Sequence, residues 1–96
     1  MKEVKFTQPL DHEHTGFEKE LCLAAGGFTK VEVTGGWFDP DLQEIVVEPN
    51  WQYTVAVGDS AIEDRVFRLA RLHNAGLGES ALYFVHANGV ATITTH

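Results

Sequence analysis

The segment from Gly26 to Val57 constrains this chain more than any other, because it reads as two strands of one long hairpin. Its first half alternates. Thr29, Val31 and Val33 fall on one face and Phe28, Lys30 and Glu32 on the other, as the pleat of a strand requires. Gly35-Gly36 lets the backbone bend, and Asp39-Pro40-Asp41 supplies a turn, since proline presets its φ and each Asp can bond the local backbone. The return strand starts at Gln43. Pro49 donates nothing to a ladder, so an interruption is expected at Glu48-Pro49, with the strand resuming as Trp51–Val57. This leaves a carboxylate, Glu48, at an expected strand break between the large aromatics Trp37, Trp51 and Tyr53.

The flanking segments supply the remaining elements. Val4–Gln8 alternates as a strand that Pro9 stops, and Asp11–His14 follows as a polar loop. His12 and His14, one residue apart, could form half a metal site. No third ligand is evident, so a solvated loop is the stronger reading and no metal is expected. Thr15 and Glu18 fit a capping box that opens a helix, with Phe17, Leu21, Ala24 and Ala25 on one face and Gly26-Gly27 closing it. Ser60 and Glu63 fit a second box. Ile62, Val66, Leu69, Ala70 and His73 form the inner face of that helix, which Gly76 and Gly78 end. Ala81–His86 is a strong strand, Asn88-Gly89 a hairpin turn and Val90–Thr94 its return.

The order is β-α-β-β-α-β with one extra C-terminal strand. It predicts one domain, residues 1–96, folded as a ferredoxin-like two-layer α+β sandwich, with helices at about 15–25 and 60–75 on one sheet face. Both faces of the strands carry apolar residues, more than two helices can cover, so a homo-oligomer is expected.

Composition narrows the function. A formal charge of -7, with only 7 scattered Lys and Arg, argues against nucleic acid as a partner. No apolar run is long enough to span a bilayer, and no apolar segment follows the charged N-terminus, so a soluble cytoplasmic protein is expected. Cys22 is the lone cysteine and reads as a buried, inert thiol. Nucleophile-elbow, phosphate-loop, paired-cysteine and zinc-protease motifs are all missing. What remains is Glu48 with Trp37, Trp51 and Tyr53, and Glu79 at the start of the last strong strand. Aromatic faces bind planar bases by stacking and cations through the ring quadrupole, and a carboxylate beside them favours a cationic ligand. The competing reading makes the aromatics core and the glutamates solvated.

Gly27, Val31-Glu32-Val33-Thr34, Gly35-Gly36-Trp37, Glu48, Thr54-Val55-Ala56-Val57, Ala70-Arg71, Glu79 and Leu82–Val85 together resemble the phage-encoded S-adenosylmethionine lyases. Trp37 stands where that pattern has a smaller aromatic, and the spacing from Glu48 to the Thr54 strand is longer. The resemblance implies intramolecular cleavage of S-adenosylmethionine to 5′-methylthioadenosine and homoserine lactone, as an anti-restriction activity. No cofactor is needed, and the sites lie between subunits of a trimer. Carried over, Glu48 would hold the ammonium or sulfonium, Glu79 would fix the other polar end, and Trp37 would contact the adenine or sulfonium. The alternative is a non-catalytic module that sequesters an adenine-containing nucleotide. A basic residue at the pocket, such as Lys30 or Arg71, would favour that alternative.

Overall fold

The computed structural model describes residues 2–96. Seven elements follow in order: β1 (Lys2–Pro9), α1 (Thr15–Ala25), β2 (Thr29–Asp39), β3 (Glu44–Val57), α2 (Ser60–Gly76), β4 (Ala81–Val85) and β5 (Ala91–Thr95). They build one antiparallel sheet of order β2-β3-β1-β4-β5, with β5 added at the edge of a ferredoxin-like arrangement.

Alternation decides which strand residues meet the helices. Val4 and Phe6 of β1, Tyr53, Val55 and Val57 of β3, and Leu82 and Phe84 of β4 are buried against Phe17 and Leu21 of α1 and Val66 and Ala70 of α2. Both helices therefore cover one face, as the hydrophobic periods require. The Phe6 ring stacks between Tyr53 and Phe84, at centroid distances of 5.2 and 5.6 Å, and ties three central strands together.

Both capping boxes form differently from expectation. His14 occupies the N-cap position of α1 without a side-chain cap, and the Glu18 carboxylate reaches the sheet instead. Asp59, one residue before Ser60, caps α2 by accepting from the Ile62 amide at 2.9 Å. Glu63 is then free to accept from the Ala87 amide and to pair with His86. The C-terminus of α1 does close on Gly26, at φ 93°, a conformation that suits glycine. Cys22 is exposed, because it follows Leu21 out of the buried stripe.

The expected break at Pro49 does not occur. β3 is continuous from Glu44 to Val57, with Pro49 opposite Thr34 in the β2 ladder. β1 ends at Pro9, opposite Asn50, so below that level β3 has only one neighbour, a position that tolerates proline. Residues 34–39 and 44–49 consequently run past the sheet as a two-stranded arm. Its flanks expose Trp37 on one face and Phe38, Ile45 and Val47 on the other, and Ile45 is 69% exposed.

Candidate functional site

Where β1 stops and the arm begins, the face away from the helices folds into a cleft of about 360 Å³. Register explains its walls. Gly35 lies opposite Glu48, Trp37 opposite Val46, and Pro9 opposite Asn50, which puts Trp37, Glu48 and Asn50 on this open face. Tyr83 and Ile93 are partners across β4 and β5 and line the far wall. A Cβ on Gly35 would stand 3.0 Å from Asn50 Nδ2, a tight contact that the Asn50 side chain would have to relieve by turning.

Glu79 reaches the cleft from another direction. The last turn of α2 folds back on itself. The amides of Leu77 and Glu79 donate to the Asn74 carbonyl at 3.2 and 3.3 Å, and Gly78 makes the bend at φ 84°. Glu48, Glu79 and Trp37, distant in sequence, thus line one cavity. Trp37 and Tyr83 are about half exposed, at 50% and 47%, leaving aromatic surface free for a ligand. Neither Lys nor Arg is among the lining residues.

Trp51 and Tyr53 lie elsewhere, on the helix face of β3. Tyr53 is fully buried, and its hydroxyl donates to Glu18 Oε2 at 2.6 Å. Burial, then the Glu18 carboxylate, pushes this phenol far above its ordinary range. Lys30 Nζ donates to the same Glu18 oxygen at 2.7 Å and sits 4.6 Å above the Trp51 ring. Burial raises the Glu18 carboxyl, but the bonds from Lys30 and Tyr53 prevail and hold it below 4.5. The aromatic faces expected to stack a ligand are therefore occupied by the chain's own lysine and phenyl groups. Period-two alternation already separates Trp51 from Glu48 by an odd number of residues, which places them on opposite faces of one strand.

His14 is not in a solvated loop. It is buried, with Nε2 2.7 Å from the Pro9 carbonyl and Nδ1 2.7 Å from His73 Nε2. A carbonyl only accepts, so His14 carries its proton on Nε2 and His73 Nε2–H donates to His14 Nδ1. Both His14 nitrogens are occupied. No cluster of three or more His, Cys, Asp or Glu is placed to hold a metal among the described residues.

Two of the three other hollows among the described residues hold several charged side chains. One of about 330 Å³ at the start of α2 is lined by Asp59, which is engaged as a cap, and Glu63, which is engaged by Ala87 and His86. The other is an open groove holding Arg68 and Arg71 along α2. No helix among the described residues is long and apolar enough to cross a membrane.

No known family model matches the chain, and no curated protein matches it in sequence. Solved structures do. A phage SAM lyase in complex with S-methyl-5′-thioadenosine superposes with a TM-score of 0.70 over 98% of this chain and 88% of that one, at 10% identity. A phage SAM lyase in its apo state gives 0.69 with the same coverage and identity. The fold of this chain is thus that of a small α+β protein shared with phage SAM lyases.

Proposed function

We propose that this chain is an S-adenosylmethionine lyase whose cleft is the one walled by Trp37, Glu48, Glu79 and Tyr83. The observation that carries the proposal is the convergence of two carboxylates and two half-exposed aromatics in one cavity lined by no basic residue. Such a lining suits a cationic adenosyl compound and repels phosphate. It weakens the nucleotide-sequestering alternative, because Lys30 is paired with Glu18 on the other face and Arg71 lies in the α2 groove. The shared fold with phage SAM lyases supports the same reading.

The reaction needs no water and no cofactor. The substrate's carboxylate oxygen forms a bond to its own γ-carbon while the γ-carbon–sulfur bond breaks. The electron pair goes to sulfur, releasing neutral 5′-methylthioadenosine and homoserine lactone. Two opposite charges vanish along this path, so a dry, folded substrate reacts faster than a solvated one. A carboxylate placed on the sulfonium would stabilise the substrate more than the transition state. Glu48 and Glu79 therefore act best on the ammonium, whose charge is unchanged, leaving the sulfonium to the faces of Trp37 and Tyr83.

The exposed arm and open sheet face fit a homo-oligomer, with a trimer as the working arrangement, in which a neighbouring chain covers the cleft. An isolated two-stranded arm is marginal in water, and its apolar residues on both flanks are suited to burial. Depletion of the methyl donor in a host cytoplasm would act as an anti-restriction device. Incubation with S-adenosylmethionine followed by chromatography tests the activity: methylthioadenosine is expected, and unchanged substrate at high protein concentration rejects it.

A further inference from the structure

Two polar side chains occupy core positions. Gln8 continues the inward alternation Val4, Phe6, Gln8, and Asn74 continues the inward helical run Val66, Ala70, Asn74. They are 1% and 3% exposed, yet every polar atom they carry is bonded. Gln8 Nε2 donates to the Ala70 carbonyl at 3.1 Å, and Asn74 Nδ2 donates to Gln8 Oε1 at 3.0 Å. On its other side, Asn74 Oδ1 accepts from His96 Nε2 at 2.7 Å, while the His96 amide donates to the Ser80 carbonyl at 3.1 Å.

Apolar residues at 8 and 74 would fill the space and avoid the desolvation of two amides. What the amides add is geometry. Asn74 joins the end of α2 to β1 through Gln8 and to the segment after β5 through His96. Its own carbonyl receives the Glu79 amide, and the residue lies along the wall of the cleft. The Glu79–Ser80 link is thus held at both ends by groups fastened to Asn74.

We propose that Asn74 is a positioning residue for Glu79, with Gln8 and His96 as its anchors, fixing the second carboxylate across the cleft from Glu48. The ligand part of this inference rests on the function proposed above, whereas the positioning part does not.

The experiment separates fold from position. Asn74→Leu leaves the Gln8 oxygen buried and unpaired, so it lowers the melting temperature. Adding Gln8→Leu removes that orphan and is expected to recover much of the loss. Positioning predicts that Glu79 amide hydrogen exchange, read by NMR, is at least about tenfold faster in both variants than in wild type. It also predicts that affinity for an uncleavable amine analogue of S-adenosylmethionine stays about tenfold weaker in both. Recovery of Glu79 protection together with the melting temperature overturns the proposal and leaves Asn74 a packing residue. Should the single variant fail to fold, His96→Ala, at an exposed residue, must still speed Glu79 exchange; an unchanged rate overturns the proposal equally. A wild-type protein that does not bind the analogue rejects the ligand assignment, and Glu79 exchange then decides the role of Asn74 alone.

Discussion

Acidification through the histidine range probes the contact between the two helices. His73 stacks on Phe17 with ring centroids 4.3 Å apart and donates to buried His14. The groups facing the pair are His12 from the loop, Glu18 from α1 and the Tyr53 ring from β3. Burial, then His14 and His12, lowers His73 below its ordinary value of 6.5, and Glu18 opposes the shift. The sign follows directly. Below that value the unfolded chain takes up a proton that the folded chain resists, so the stability is present above 6.5 and is lost as pH falls through the window beneath it. Each proton of difference contributes a slope of about 1.4 kcal/mol per pH unit. Urea unfolding of wild type and His73→Gln from about pH 8 to about pH 5 isolates this contribution, since the other histidines are common to both. Glu18 lies below 4.5 and adds its own loss only at lower pH. Wild type is expected to lose stability more steeply than the variant in this range. Parallel profiles would show that His73 contributes nothing to the acid sensitivity.

Other consequences can be measured as simply. Glu48→Gln should melt like wild type while kcat/KM falls through a raised KM: about tenfold if the cleft stays as open as in the single chain, and about 30- to 1000-fold if a neighbouring chain excludes water. Glu18→Gln deprives Lys30 and Tyr53 of a charged acceptor, and calorimetry should register about 1–3 kcal/mol of lost stability. Light scattering should give a multiple of 10.6 kDa, reduced by Ile45→Lys on the arm; a monomer at micromolar concentration counts against the assembly.

Hydrophobic period made most of the architecture legible. Val4 and Phe6, the Trp51–Val57 run, and the stripes of both helices all face the core they imply. Local polar chemistry was less so. Ser60 looks like a cap, but Asp59 accepts the amide, and Glu18 and Glu63 satisfy partners far away in sequence. Pro49 read as a break because the early end of β1 is a tertiary fact. Glu48, Trp37 and Glu79 were each noticed, yet their meeting in one cleft depends on strand order and on the fold-back after α2. Asn74 and Gln8 did leave a signal, as polar residues at inward positions of otherwise apolar periods. Tyr83 left one too, opposite in phase to Leu82 and Phe84.

Two carboxylates, with no basic residue among the lining, should select a cationic adenosyl ligand over a phosphate-bearing one. Calorimetric titration with an uncleavable S-adenosylmethionine analogue, carrying a protonated amine in place of the sulfonium, and with adenosine 5′-monophosphate measures this directly. Attraction and repulsion of about 1 kcal/mol each predict that the cation binds about 30-fold more tightly, and that Glu48→Gln narrows the ratio. Equal affinities, or a preference for the phosphate, would show that the two carboxylates do not select for charge.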